Sequence, residues 1–158
     1  MKELIVARHG EYGCGNGDRF NKNKDVDHLT EQGRRSVKKL AEKLKLHAQD
    51  KSVTILSSTA IRAVESARII SKELKVKFKI HNALWHDDEY PAYQSEVLEL
   101  IQSHTKTDVL ILVTHREYTG YLPYYFSKSC LNAQLDSHPI YYARAWAIDC
   151  EKVTLSLI

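Results

Sequence analysis

Leu4-Ile5-Val6-Ala7-Arg8-His9-Gly10-Glu11 decides how this chain folds. Its first four residues form an unbroken apolar run with a charged residue on either side. A run that short and continuous reads as a strand buried on both faces, the kind found inside a parallel sheet. It stops at an arginine, a histidine and a glycine, so polar chemistry begins where the strand ends. Two further stretches repeat the arrangement. Val53-Thr54-Ile55-Leu56 runs into Ser57-Ser58. Val109-Leu110-Ile111-Leu112-Val113, the most apolar run, leads into Thr114-His115 and is expected to be a central strand.

Working outward from these strands, the intervening segments read as helices. Thr30 is a candidate N-cap. After it Val37, Leu40, Ala41 and Leu44 recur at helical spacing, with Arg34, Arg35, Lys38, Lys39 and Glu42 on the opposite side. Ser57 or Ser58 is expected to cap a second helix, buried through Ala60, Ala63, Val64, Ala67, Ile70 and Leu74. A short strand is expected at 77–80 and a helix at 94–103, led by Val97, Leu98 and Ile101. Another helix is expected at 117–126, where Pro123 marks a kink. Alternating residues at 143–149 and 153–157 read as closing strands that suit an antiparallel edge. Strands alternating with helices predict an α/β fold, a three-layer α/β/α sandwich with a mostly parallel central sheet. Residues 1–158 are expected to form a single domain.

The composition narrows the function classes. Hydrophobic residues make up 43% of the chain and charged residues 27%, an ordinary globular balance. No apolar run approaches the roughly 18 residues of a membrane span, and the apolar start is too short for a signal peptide. The chain is therefore expected in the cytoplasm. Cys14, Cys130 and Cys150 lack metal-ligand spacing and are odd in number, which fits reduced thiols better than a disulfide framework. A net charge of +3 argues against a nucleic-acid partner while remaining compatible with an anionic substrate.

In open α/β sheets, ligands bind beyond the carboxyl ends of the strands. Three strands here end in Arg8-His9, Ser57-Ser58 and Thr114-His115. An arginine guanidinium matches phosphate oxygens with planar, paired donors. An imidazole nitrogen can act as a nucleophile, and Gly10 lets the backbone approach a bound group closely. Arg62 falls near the first turn of the second helix, whose N-terminus already favours an anion. Two arginines and two histidines can thus surround one phosphoryl group, a transfer that relies mainly on positioning and charge neutralisation.

These residues resemble the histidine phosphatase (phosphoglycerate mutase-like) superfamily. The resemblance rests on Arg8-His9-Gly10-Glu11, on Leu29-Thr30-Glu31-Gln32-Gly33, on the block from Ser58 through Arg62-Ala63 to Ser66-Ala67, and on His115 after the apolar strand. The short chain looks most like the SixA-type phosphohistidine phosphatases. The resemblance implies that His9 accepts the phosphoryl group and that Arg8, Arg62 and His115 complete the pocket. It implies hydrolysis of phosphomonoesters or of protein phosphohistidine without a cofactor or metal, the arginines supplying the positive charge. The partner is then a phosphorylated small molecule or a phosphoprotein.

Departures from the family pattern leave the general acid open. Arg116 follows the second histidine where most relatives carry Gly or Asp. Leu84-Trp85-His86 places a histidine where mutase-like members carry a glutamate. Asp88 is the candidate acid, with Asp87 and Glu11 as alternatives. Glu11 and Asn16 are also candidate substrate-binding residues; Asn16 lies one position later than the asparagine of related mutases. Without the expected acid, a second reading is a phosphate-binding module that recognises a phosphorylated partner without turnover. A mutase is disfavoured because so short a chain leaves little material for a lid that excludes water.

Simpler explanations exist for individual residues. His9 alone could be a structural histidine, and Arg62 could pair with Glu65 across one helical turn. Cys14 and Arg19 are one residue too close for a cysteine-phosphatase loop. The glycines at 10, 13, 15 and 17 lack the Lys-Ser/Thr of a nucleotide-binding loop. His86-Asp87-Asp88 reads as loop polarity rather than a metal site. The basic face of residues 34–45 reads as solvated surface. Tyr90, Tyr93, Tyr118, Tyr121, Tyr124 and Tyr125 either rim the pocket or pack.

Overall fold

A computed structural model of the chain describes residues 1–13, 27–85 and 94–158. Among these residues six strands and four α-helices follow one another as β1 (Glu3–Arg8), α1 (Glu31–His47), β2 (Val53–Ser57), α2 (Ile61–Leu74), β3 (Phe78–Ile80), α3 (Gln94–Gln102), β4 (Val109–Thr114), α4 (Arg116–Cys130), β5 (Ala145–Asp149) and β6 (Thr154–Leu157). The strands form one sheet in the order β3-β2-β4-β1-β5-β6. The first four are mutually parallel, and β5 and β6 add antiparallel. The expected α/β sandwich is therefore present.

The layers follow from the two-residue period of the strands. Ile5, Ala7, Ile55, Ile111 and Val113 face one side, where Val37, Leu40, Ala41 and Leu44 of α1 and Ala63, Ala67 and Ile70 of α2 cover them. Leu4, Val6, Leu56, Leu110 and Leu112 face the other side, against Val97 and Ile101 of α3 and Tyr118, Leu122 and Phe126 of α4. Residues 109–113 have no solvent exposure at all, which is why that stretch is so uniformly apolar. Val64 and Leu74, expected in the core, are only partly buried. Ser66 is buried instead, for a reason that lies in the site.

Register aligns the strand ends. Arg8 pairs with Thr114, and Ser57 with Val113, so β1, β2 and β4 finish at one level. Adjacent strands β1 and β4 then send their helices to opposite faces: α1 joins one layer and α4 the other. A crevice opens between such strands at their carboxyl ends, and His9 and His115 are the residues that enter it.

Two glycines allow the turn after β1 to lie against α1. A Cβ on Gly33 would sit 2.1 Å from the Glu11 carbonyl oxygen, and one on Gly10 would sit 2.7 Å from Val37 Cγ2. Thr30 caps α1 as expected: its hydroxyl accepts from the Gly33 N–H at 2.9 Å. The α2 cap differs from expectation. The capping position is Ala60, which has no side chain to offer, because both serine hydroxyls are engaged elsewhere. Ser57 donates to the Ser58 carbonyl, and Ser58 bonds to His115. Pro123 lies inside a continuous α4. Cys130 and Cys150 are free thiols, and Cys14 lies outside the described residues.

Candidate active site

The four residues expected to surround a phosphoryl group are brought together. His9 and His115 are 3% and 5% exposed, and their rings lie 5.2 Å apart. Arg62, in the first turn of α2, reaches between them. Its Nε donates to His9 Nε2 at 3.2 Å, and its Nη2 lies 3.4 Å from His115 Nδ1. These two nitrogens form the paired-donor edge of the guanidinium, the edge that matches an oxyanion. The remaining nitrogen, Nη1, is held outside by Asp27, whose other oxygen accepts from the Ile61 N–H at 2.9 Å. Asp27 thus caps α2 from a distant part of the chain while orienting Arg62.

His9 is held in one tautomer. Its Nδ1 lies 2.8 Å from the Gly10 carbonyl, which can only accept, so Nδ1 carries the hydrogen. Nε2 receives a bond from Arg62, which can only donate, so Nε2 keeps its lone pair. Burial drives the imidazole well below its ordinary pKa. The Gly10 carbonyl pulls in the opposite direction, and the charges of His115, Arg62 and Arg8 add to the depression. The result is a neutral imidazole whose bare nitrogen faces Arg62.

A relay behind Gly10 fixes that geometry. The Gly10 N–H donates to Ser66 Oγ at 3.0 Å, and the Ser66 hydroxyl donates to the Arg62 carbonyl at 2.7 Å. This is why a serine is buried on α2: it ties the histidine turn to the helix that carries Arg62. Glu65 ties down the approach to α1, accepting from the Leu29 N–H at 2.8 Å and pairing with His28 and Arg34. Burial raises its carboxyl pKa, but the bonds from His28, Leu29 and Arg34 outweigh that and hold it below the ordinary value. Glu65 is therefore engaged with residues other than Arg62.

Arg8 completes the cationic wall. Its Nη1 donates to the Ile140 carbonyl at 2.7 Å, while its buried Nε has no hydrogen-bond partner among the described residues. An orphaned buried donor on a guanidinium is costly unless an acceptor comes to it. Ser58 Oγ lies 2.8 Å from His115 Nε2, which sets the second imidazole. His115 also begins α4 and has no side-chain cap there, so a second helix N-terminus opens at the site.

An aromatic rim surrounds these groups. Tyr142 lies under Arg8 at 3.8 Å and Tyr12 under Arg62 at 4.5 Å, while the Trp85 ring is 5.3 Å from His115. Tyr12 and Trp85 are each more than a third exposed, so they border the opening. The six tyrosines that the sequence left open between rim and packing are different ones. Tyr118 is buried and donates to the Ala83 carbonyl, and Tyr121, Tyr124 and Tyr125 pack along α4. Tyr90 and Tyr93 lie outside the described residues.

The remaining candidates divide. The Glu11 carboxylate accepts from the Thr30 hydroxyl at 2.9 Å, at the start of α1. Asp87, Asp88 and Asn16 lie outside the described residues. Asp27, Ser66, Tyr12 and Tyr142 were not singled out from the sequence. Ser66 sat inside a quoted motif, but nothing local distinguishes Asp27 or Tyr142. Among the described residues, no group of three or more His, Cys, Asp or Glu could hold a metal ion. Among them also, no helix is long and apolar enough to cross a membrane.

Comparison with known proteins agrees with this fold. The family model of the histidine phosphatase superfamily (branch 1) matches residues 4–86. No curated protein matches the chain by sequence. Among solved structures, a mycobacterial glucosyl-3-phosphoglycerate phosphatase bound to vanadate superposes with a TM-score of 0.68 at 17% identity, covering 99% of this chain and 97% of that one. The protein histidine phosphatase SixA bound to tungstate gives 0.67 at 15% identity, with coverage of 99% and 94%. A candidate SixA phosphohistidine phosphatase from Agrobacterium tumefaciens gives 0.67 at 15% identity, with coverage of 94% and 91%. At these identities the likeness is one of fold.

Proposed function

The chain belongs to the histidine phosphatase superfamily, and from that membership we propose that it hydrolyses phosphomonoesters or protein phosphohistidine through a phosphoryl group carried on His9. The observation that carries this reading is the His9 ring itself: one nitrogen donates to Gly10, and the other keeps its lone pair toward the paired-donor edge of Arg62.

The chemistry follows from that arrangement. His9 Nε2 donates its lone pair to phosphorus, and the bond from phosphorus to the leaving oxygen or nitrogen breaks on the opposite side. Arg62, Arg8 and His115 hold the remaining oxygens, and the orphaned Arg8 Nε gains its acceptor. The leaving group takes a proton from an acid, for which Asp88 is the proposed donor and Asp87 or Glu11 the alternatives. Water then attacks phosphorus, the bond to His9 breaks, and inorganic phosphate leaves. A phosphohistidine substrate needs less acid assistance, because its nitrogen departs readily. The superposition on SixA supports including that substrate class.

One observation favours a second reading, a phosphate-binding module without turnover. Asp27, a described carboxylate in contact with Arg62, has one oxygen bound to that guanidinium and the other to the Ile61 N–H, so neither is turned toward a leaving group. One experiment separates the two readings. The protein is incubated with a labelled phosphoryl donor and quenched at high pH. Label that is stable to alkali, labile to acid and lost in His9→Ala supports the phosphatase. Label that persists in His9→Ala refutes the role of His9, and phosphate binding without label or hydrolysis favours the module.

A further inference from the structure

Three of the six lysine and arginine side chains of α1 have an ion-pair partner among the described residues, and Lys38 is not one of them. Arg34 pairs with Glu65, Arg35 with Glu31 and Lys45 with Glu73. Lys39 and Lys43 do not. They stand one helical turn apart, in line with Ser36, and line one wall of a groove of about 370 Å³. The opposite wall is the segment leading into β5, where Tyr141, Tyr142 and Arg144 contribute. Among the described residues no Asp or Glu lines the groove, whose lining also includes Ile158, the last residue of the sequence. Among the described residues none of Lys39, Lys43 and Arg144 has an ion-pair partner. Like charges one turn apart on a helix repel, and a third cation facing them across a concave surface concentrates positive potential there. Lys39 and Lys43 are both exposed, as the reading of this face as solvated surface expects; that reading does not address their convergence with Arg144.

The groove adjoins the catalytic crevice. Tyr142 lines it, and the same ring lies 3.8 Å from the Arg8 guanidinium and 5.7 Å from the His9 ring. Ala143 sustains this placement. It has a left-handed backbone, with φ of 49°, and its N–H donates to the His9 carbonyl at 3.1 Å. A non-glycine residue in that region is strained, and such strain persists only where its surroundings enforce it. Here the strained residue sets the tyrosine that separates the nucleophile from the basic groove.

We infer that the groove is a second anion subsite, and that the physiological substrate carries a further phosphate or carboxylate, seated on Lys39, Lys43 and Arg144 while its scissile phosphate faces His9. The volume suits one compact group of a small molecule. Charge-assisted bonds from lysine and arginine are the recognition such a group needs. The inference rests on the phosphatase reading, so its test must separate the two.

The test compares alkyl monophosphates with the matching α,ω-alkanediol bisphosphates of increasing chain length. One bisphosphate length is expected to exceed its monophosphate in kcat/KM by on the order of tenfold at low salt, the gain shrinking as salt rises. In Lys39→Gln/Lys43→Gln the ratio of the two substrates should fall to about two, the statistical advantage of a molecule with two identical esters. A ratio no higher than that at every length, or a preference unchanged in the double variant, would overturn the subsite. Binding of the same bisphosphates to the His9→Ala protein is followed by calorimetry as a second arm. If no ester is hydrolysed, the phosphomonoester part of the phosphatase reading fails. Tighter binding of the bisphosphate that disappears in His9→Ala/Lys39→Gln/Lys43→Gln would still uphold the subsite, and equal binding would remove it.

Discussion

Arg62 meets His9 edge-on: the guanidinium Nε lies 3.2 Å from the imidazole Nε2, and its paired Nη2 reaches toward His115. The nitrogen that would attack phosphorus and the donors that would hold the phosphoryl oxygens therefore occupy one small volume before any substrate arrives. Lysine cannot reproduce this, because its ammonium is a point charge without a fork. Arg62→Lys is expected to lower kcat/KM by about 10²–10³-fold, the range for losing an oriented transition-state donor. Steady-state kinetics on a simple aryl phosphate measures it, and a loss under fivefold would show that charge alone suffices.

His9 should resist protonation. Burial and the neighbouring cations set its folded pKa well below the ordinary imidazole value, whereas the unfolded chain titrates near the usual ~6.5. Between those two values the unfolded state binds the extra proton, so stability falls as pH drops from about 6.5 toward the folded pKa. The slope approaches about 1.4 kcal/mol per pH unit. Nitrogen chemical shifts at pH 6 should show a protonated Nδ1 and a bare Nε2, and His9→Gln should lose this part of the pH slope in denaturant unfolding. A His9 that titrates near 6.5 contradicts the assignment.

The strands and the four central residues were legible because each lies in a contiguous run whose pattern is local. An apolar stretch that ends in Arg8-His9 or Thr114-His115 announces both the strand and what stands at its tip. The α2 cap was misread for the opposite reason. Two serines precede that helix, but tertiary contacts use their hydroxyls, and the cap comes from Asp27, 34 positions away. Tyr142 is equally remote in sequence. It reaches His9 because the antiparallel approach to β5 brings the 140–144 segment beside β1, with the Arg8 N–H donating to the Arg144 carbonyl. Ser66 interrupts an apolar helical face, and its partner, Gly10, lies 56 positions away.

The glycine of the Leu29–Gly33 motif should be irreplaceable for packing. A methyl group on Gly33 would stand 2.1 Å from the Glu11 carbonyl oxygen, a backbone atom that cannot swing aside. Alanine is otherwise the better helix former by about 1 kcal/mol. Steric displacement is expected to reverse that preference, leaving Gly33→Ala less stable by about 1–3 kcal/mol. Thermal unfolding reads the difference, and an unchanged or higher midpoint would show that α1 can move off the histidine turn.

Ser66→Ala should separate positioning from folding. The substitution removes the acceptor of the Gly10 N–H and the donor to the Arg62 carbonyl, leaving a buried amide unsatisfied at a cost of about 1–3 kcal/mol. The Gly10 carbonyl that orients His9 then loses its anchor. kcat is expected to fall by on the order of tenfold with KM changing little, since Ser66 touches the imidazole only through the backbone. A rise in KM alone would mean that the relay serves binding instead.

Asp27 offers the most revealing substitution, because one carboxylate performs two tasks. One oxygen holds the outer nitrogen of Arg62 and the other caps α2 at Ile61. Asp27→Asn keeps an acceptor but removes the charge, whereas Asp27→Ala removes both. If Asp27 acts by aiming the Arg62 fork, the asparagine variant should retain most of the stability and lose roughly tenfold in kcat/KM. The alanine variant should lose about 1 kcal/mol of stability as well, the usual worth of an N-cap. Equal activity loss in both variants with equal stability loss would reduce Asp27 to a cap. A gain in activity for the asparagine variant would mean instead that the carboxylate competes with substrate for Arg62. That outcome would relocate the free-energy cost of binding from the phosphate to the displacement of Asp27.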